Sequence, residues 1–306
     1  MASSYGPLVL IANPRAGRGR VGREMPEVER QLNARRLRYR LVQTEGPGHA
    51  TWAARDALED GERFLVAVGG DGTVQEVVNG MIQDDRPVRD DAVLGVVAAG
   101  SGCDFVRTFG LPGDAIRAVR HLDGDRLYPI DVAKAEYFDG TGTATRYVPN
   151  IAEAGLGGAV VDRAERLPRW MGRSRYFWGF WLSLKRFRPC DITVRADRKE
   201  FSGRANNVVV ANCQFYGGGM KISPRSYPGD GLLDVQISTG PKSEAFTLIP
   251  KIYKGEHVPH PHIKELRGRV ISIEAERPLP VEGDGEVLGT TPATFSIVPQ
   301  AISLKI

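Results

Sequence analysis

The chain has 306 residues, 42% of them hydrophobic and 25% charged, which is enough for two medium domains with proper cores and excludes disorder. Its 41 basic and 37 acidic residues leave a net charge of +4, a mild excess that suits phosphate or a lipid surface and calls for no nucleic-acid partner. No stretch approaches the roughly 20 apolar residues of a spanning helix, the first residues lack a secretory pattern, and Cys103, Cys190 and Cys213 lack metal-ligand spacing, so a cytoplasmic setting is expected.

The first third alternates strand and helix patterns. Leu8 to Ala12 predicts a buried strand, Asn13 to Gly22 a glycine- and arginine-rich loop, and Pro26 the first turn of a helix ending near Arg36. Strands are expected at Tyr39 to Gln43, Phe64 to Val68 and Val93 to Val97, with helices at Ala50 to Glu59 and from Thr73 through Gly80. Repeated β-loop-α units imply a parallel sheet covered by helices, with ligands at the carboxyl ends of the strands. Beyond about Leu127 strand patterns follow one another: Val132 to Tyr137, Arg146 to Ile151, Ile192 to Ala196, Asn207 to Cys213, Leu233 to Ile237, Val270 to Ala275, Thr294 to Val298 and Ile302 to Ile306. This part predicts a mostly antiparallel β-sandwich, interrupted by one helical segment, Leu167 to Phe187.

Four motifs carry chemistry. In Gly69-Gly70-Asp71-Gly72-Thr73, glycine amides at a helix start can approach phosphate oxygens, and a carboxylate among phosphates calls for Mg²⁺ between them. The alternative is a plain β-to-α turn. Asn13-Pro14-Arg15-Ala16-Gly17-Arg18 offers forked guanidinium donors to phosphate, or is a solvated basic loop. Gly100-Ser101-Gly102-Cys103-Asp104 could line a nucleotide, or start a helix capped by Asp104. Glu282-Gly283-Asp284-Gly285-Glu286 could supply a general base toward an alcohol, or be an acidic hairpin turn. The segment 166–181, dense in arginine and aromatics, suits a membrane interface as well as it suits a core.

Taken in order, these motifs, with Glu76-Val77-Val78-Asn79-Gly80, Gly217-Gly218-Gly219 and Asp230-Gly231-Leu232-Leu233-Asp234, resemble the diacylglycerol kinase catalytic family, in the superfamily of sphingosine kinases and NAD kinases. Cys103 departs from it, standing where diacylglycerol kinases usually carry Asn. The resemblance implies an N-terminal Rossmann-like α/β nucleotide-binding domain over 1–128 and a β-rich sandwich domain over 129–292, with the strands from about 293–306 returning to the first. It implies ATP and Mg²⁺, with nucleotide contacts at Asn13, Pro14, Arg15, Ala16, Gly17, Arg18, Thr44, Gly69, Gly70, Asp71, Gly72, Thr73, Val74, Glu76 and Ser101. Asp71 matches the central acid, Asp131 a second acid in its network, and Glu286 the proton acceptor. Asp230 with the carbonyls of Tyr227 and Leu232 matches a structural Mg²⁺ loop. The implied activity is transfer of the γ-phosphoryl group to a lipid hydroxyl, diacylglycerol to phosphatidic acid first, another lipid or a soluble acceptor as alternatives. Peripheral contact with the membrane is expected, and a homodimer is allowed.

Overall fold

A computed structural model describes residues 4–99, 102–168, 171–172 and 174–306. The chain forms two compact units, Met1–Val132 with Val298–Ile306, and Ala133–Ile297.

The first unit is built from β1 (Leu8–Ala12), α1 (Ala16–Ala34), β2 (Tyr39–Gln43), α2 (His49–Glu59), β3 (Phe64–Gly69) and α3 (Asp71–Met81). A small hairpin of β4 (Ile82–Gln83) and β5 (Arg86–Pro87) leads to β6 (Val93–Ala98), then α4 (Asp104–Thr108) and α5 (Ala115–Ala118). Strands β2, β1, β3 and β6 lie side by side and parallel, with Leu8 beside Tyr39 and Phe64, and Phe64 beside Val93. Every residue of β1, β3 and β6 is buried, as strands covered on both faces require. Because all four strands run the same way, the residues that follow them (Asn13, Thr44, Gly70 and Ala99) share one edge of the sheet. Gly80 lets α3 approach α2, since a Cβ there would come within 2.3 Å of the Thr51 carbonyl oxygen.

Helix α1 differs from expectation. It continues through Pro26 rather than beginning at it, and residues Gly17, Arg18 and Gly19 at its start are left-handed. The apolar stripe explains this: Val21, Met25, Val28 and Leu32 are all buried, so the helix is anchored ahead of the proline despite one lost hydrogen bond.

The second unit is antiparallel. It contains the second half of β7 (Leu127–Phe138), then β8 (Thr143–Val148), β9 (Ile151–Gly155), α6 (Leu156–Glu165), α7 (Ser174–Arg186), β10 (Cys190–Ala196), β11 (Lys199–Ala205) and β12 (Asn207–Ala211). It continues through β13 (Leu233–Ser238), α8 (Ala245–Lys254), β14 (Ile263–Gly268), β15 (Val270–Ala275), β16 (Pro280–Gly283) and the part of β17 (Glu286–Lys305) that ends at Ile297. Strand β9 pairs with β12 and β16, β12 with β13, β13 with β14, and β10 with β11 and β15. Its core joins Val194, Val210, Val235, Ile273, Val281 and Phe295.

The single strand expected over Arg146 to Ile151 is two. Pro149 has no amide to donate, and the Asn150 carbonyl instead accepts from Asn212 and Cys213 at 3.0 and 3.1 Å, so the chain turns there. The two C-terminal strands expected are one, β17. Pro299-Gln300 broke the apolar pattern, but Gln300 takes a left-handed conformation (φ 49°) and hydrogen bonding resumes beyond it, Ser303 lying beside Val93 of β6. The expected helical segment from Leu167 forms α7 only from Ser174, and α6 and α8 were not anticipated. Arg169, Trp170 and Arg173 of that segment lie outside the described residues.

Candidate active site

The first unit presents two glycine loops on the carboxyl edge of its sheet. After β1, the Asn13 side-chain oxygen accepts the Arg15 amide at 3.0 Å, and the chain passes through left-handed Gly17, Arg18 and Gly19. Gly17 cannot be replaced: its φ is +59°, and a Cβ would lie 2.5 Å from the Ala99 carbonyl oxygen. Arg15 and Arg18 are exposed, so their guanidinium groups are available to an anion. Thr44 follows β2, its amide donating to the Ala12 carbonyl at 2.8 Å. After β3, Gly70 is the N-cap residue of α3 and Asp71 opens the helix; the Thr73 and Val74 amides return to the Gly70 carbonyl at 3.0 and 3.2 Å. Amides at a helix start favour negative charge, and here they are carried by small residues.

Asp71 Oδ1 accepts the Phe105 amide at 3.0 Å, which ties the α3 start to the turn after β6. Between them sits Gly102. A Cβ built there would lie 2.8 Å from Asp71 Oδ2 and 3.4 Å from Asp104 Oδ2, so two carboxylates converge on it. Asp104 is buried and was read from the sequence only as a helix cap; its signal was an acid directly after the Gly102-Cys103 turn. Arg107 lies 3.5 Å from its Oδ1. Asp131, which the sequence set just past the first domain, belongs to the first unit, is buried, and accepts the Gln300 amide at 2.7 Å. Glu76 faces elsewhere: its carboxylate accepts the Ala50 amide at 3.0 Å and caps α2, whose own N-cap residue is Gly48. Ser101 lies outside the described residues.

The second unit carries the acidic hairpin. Asp284 (φ 51°) and Gly285 (φ 85°) form a two-residue turn of left-handed residues between β16 and β17, the turn chemistry such hairpins need. Asp284 is a structural residue: its amide donates to the Ile151 carbonyl and its Oδ1 accepts the Ile151 amide, both at 2.9 Å. Glu286, the first residue of β17, has a side chain 44% exposed, with Oε2 3.2 Å from the Arg146 guanidinium. Arg146 had no sequence signal; it arrives because β7 and β8 pair beside this hairpin.

Glu282 is the most buried acid of the three, and its Oε2 accepts the Gly285 amide at 2.9 Å. Directly across from it on β9 is Glu153, also buried. Asn207 Nδ2 donates to Glu153 Oε1 at 2.9 Å, and the Tyr216 hydroxyl is hydrogen-bonded to Glu153. Burial pushes the Glu153 carboxyl up to about 7, and burial together with the Glu153 charge pushes Glu282 well above the usual carboxylate range. The fold therefore keeps protons that the unfolded chain releases above about pH 4.5. This contribution to stability is fully present below the unfolded pKa and is lost as pH rises through about 7. Glu282→Gln, which keeps an oxygen for Gly285, should gain thermal stability relative to the parent as pH rises from 5 to 8. The advantage should grow steadily across that range, because burial holds the Glu282 carboxyl well above the usual carboxylate range. Parallel melting profiles of parent and variant across that range would rule out a Glu282 carboxyl held protonated by burial.

In the loop before β13, Asp230 Oδ1 accepts the Leu232 amide at 3.1 Å, and its other oxygen is paired with Arg267. Arg267 also lies 3.2 Å from Asp234, whose carboxyl burial pushes up and Arg267 pulls down. The Tyr227 carbonyl accepts the Gly229 amide at 2.8 Å. Toward a cation, Asp230 and the Tyr227 and Leu232 carbonyls offer oxygen atoms alone.

Residues 7–135 match the diacylglycerol kinase catalytic domain, and residues 150–306 match the YegS C-terminal NAD kinase beta sandwich-like domain. A diacylglycerol kinase of Bacillus subtilis is 28% identical over 290 residues, covering 94% of this chain and 91% of its own. One of Mycobacterium tuberculosis is 29% identical over 252 residues, covering 81% and 78%. Among solved structures, a diacylglycerol kinase from Bacillus anthracis str. Sterne has a TM-score of 0.73 at 23% identity, covering 98% of this chain and 96% of its own, which establishes the shared fold. Yeast NADH kinase, at a TM-score of 0.50 and 11% identity, has the same fold more distantly, over 97% of this chain and 82% of its own. With matches running from the first strand to the last residue, the chain belongs to the diacylglycerol kinase catalytic family and is a phosphotransferase that acts on an alcohol acceptor.

Proposed function

We propose that the chain transfers the γ-phosphoryl group of ATP to the primary hydroxyl of a membrane lipid, converting diacylglycerol to phosphatidic acid. The observation that carries this is the placing of a left-handed Gly17-Arg18-Gly19 turn and a Gly70-Asp71-Gly72 helix start on one sheet edge. Two such loops give a polyphosphate amides, a helix start and two exposed arginines at once.

The acceptor oxygen forms a bond to the γ-phosphorus as the bond from that phosphorus to the bridging oxygen breaks, and ADP leaves. The acceptor proton goes to the Glu286 carboxylate. Little covalent chemistry falls to the protein, so holding and electrostatics carry the rate. Asn13 to Arg18, Thr44 and Gly69 to Val74 hold the nucleotide. Asp284 and Glu282 are positioning residues that fix the turn beneath Glu286.

The acids around Gly102 fit Mg²⁺, because two carboxylate oxygens converge on a residue without a side chain. Asp71 and Asp104, with Asp131 as a further acid, would hold the ion, which neutralises charge on the transferred group when bound. The Asp230 loop also fits a hard cation, with Asp230 and the Tyr227 and Leu232 carbonyls as donors, once the Asp230 carboxylate exchanges its partner Arg267 for the ion. Asp230→Ala should therefore reduce the rise in Tm that added Mg²⁺ gives, with kcat little changed. A variant whose Tm responds to Mg²⁺ as the parent's does would make the loop an ordinary turn.

A lipid acceptor requires contact with a bilayer. On α7, Phe177, Trp178 and Leu182 are exposed, and the Trp181 ring lies 4.9 Å from Phe246 of α8. Phe246 is itself 65% exposed and, among the described residues, none of α8 is buried. Lys185, Arg186, Lys251 and Lys254 close the two helices with positive charge. Aromatic rings bordered by cationic groups suit an anionic membrane surface. No helix among the described residues is long and apolar enough to cross a membrane.

One experiment tests acceptor and membrane together. The chain is incubated with γ-labelled ATP, Mg²⁺ and vesicles of a total lipid extract, then sedimented. Label in phosphatidic acid, with the chain in the pellet, is expected. Label confined to water-soluble products would overturn the lipid acceptor, and a chain left in the supernatant would overturn the membrane contact.

A further inference from the structure

Away from the acidic hairpin and the glycine loops, the second unit brings together Glu244, His260 and His262, whose ligand atoms all lie within 4.8 Å of one another. They come from two segments of chain. Glu244 is the N-cap residue of α8, and the histidines belong to the run His257-Val258-Pro259-His260-Pro261-His262 that leads into β14. The backbone holds the segments in place. Thr239 donates to the His262 carbonyl from its amide at 2.8 Å and its hydroxyl at 3.0 Å, and the Ile263 amide donates to the His260 carbonyl at 3.1 Å. His262 Nδ1 is in hydrogen-bond contact with Glu244 Oε1.

The carboxylate is also shaped by its surroundings. A Cβ on Gly240 would lie 2.1 Å from Glu244 Oε2, so the close approach needs glycine there. The two imidazole rings are 5.8 Å apart and inclined at 68°, and His260 Nδ1 accepts the His262 amide at 3.2 Å, a long bond that a metal can replace. His257, by contrast, is buried with Nε2 within 2.9 Å of the Ile222 carbonyl and 3.1 Å of Gln236, so it stands outside the group. Two imidazoles and a carboxylate, with a further position left to water, are the ligand set of a borderline-soft ion rather than of Mg²⁺.

We propose that Glu244, His260 and His262 form a site for a transition-metal ion of the Zn²⁺ kind, which ties the start of α8 to the segment entering β14. This does not depend on the identity of the phosphoryl acceptor. It adds a second class of metal to a chain whose other candidate sites offer oxygen alone.

The test uses the full chain without an affinity tag, treated with chelator and titrated with Zn²⁺ by calorimetry in millimolar Mg²⁺, which keeps oxygen-only positions filled. One equivalent of Zn²⁺ should bind and raise Tm, as a ligand selective for the folded state does. His260→Ala and His262→Ala should each weaken binding by at least about 10-fold, since even loss of an outer-shell partner costs about 10–100-fold. His49→Ala, on α2, should bind as the parent does. Glu244→Gln, which preserves shape, should also lose affinity while melting like the parent without Zn²⁺, so a misfolded histidine variant would not blur the result. Absence of Zn²⁺ uptake by the parent, or unchanged affinity in the Glu244 and histidine variants, would overturn the site.

Discussion

Glu286→Gln is expected to lower kcat for a lipid acceptor by about 10²–10⁴-fold, the usual worth of a positioned general base, and to leave ATP affinity near that of the parent. A primary hydroxyl is a poor nucleophile at neutral pH, and within the hairpin Asp284 is engaged with Ile151 and Glu282 with Gly285, whereas the Glu286 side chain is 44% exposed. Its partner Arg146 keeps it oriented at 3.2 Å, and its exposure leaves room for a substrate. Asp284→Asn retains an oxygen for the Ile151 amide and should cost far less. Steady-state kinetics with varied ATP and acceptor separate the roles. A kcat for Glu286→Gln within a few-fold of the parent would exclude the proton-acceptor role, and a loss restored by excess Mg²⁺ would assign Glu286 to metal binding instead.

Asp71→Ala should abolish transfer, by at least about 10³-fold, without unfolding the chain. Loss of a single preorganised electrostatic group at a charged transition state already costs about 10²–10³-fold, and Asp71 sits among the amides that would receive the phosphates. Asp71 has two duties that alanine removes together: its charge, and the bond from Phe105 that anchors the turn after β6. Asp71→Asn distinguishes them, because the amide oxygen still accepts from Phe105 while the charge is gone. Both variants should be inactive with unchanged melting. An active Asp71→Asn beside an inactive Asp71→Ala would reduce the carboxylate to an anchor for Gly102 and Asp104.

The parallel sheet was legible because its strands are buried on both faces and read as continuous apolar runs such as Leu8-Val9-Leu10-Ile11-Ala12 and Phe64-Leu65-Val66-Ala67-Val68. The two glycine loops were legible because each punctuates such a run with glycine. Strand β11 escaped notice because Lys199-Glu200-Phe201-Ser202-Gly203-Arg204-Ala205 is largely exposed and its pairing with β10 is made by backbone groups. Helix α8 escaped because Pro250 stands inside it. The residues of the candidate site that were missed share one property, which is that their significance is made by pairing. Glu153 in a strand is an ordinary acid until β9 lies against β16 and sets it opposite Glu282. Arg146 is an ordinary base until β8 brings it to Glu286. Asp104 looks like a helix cap until Gly102 lets Asp71 share its surroundings. Glu76 has a duty that its motif did not announce: α2 lacks a capping side chain of its own, and the Glu76 carboxylate serves it.

The central claim is tested most directly by presenting pure diacylglycerol in mixed micelles to the chain with γ-labelled ATP and Mg²⁺, with Asp71→Ala as the blank. The expected result is labelled phosphatidic acid that accumulates linearly with enzyme and time, matched mole for mole by ADP, and absent from the blank. ADP released without label in lipid, or label in lipid made equally by Asp71→Ala, would contradict the account.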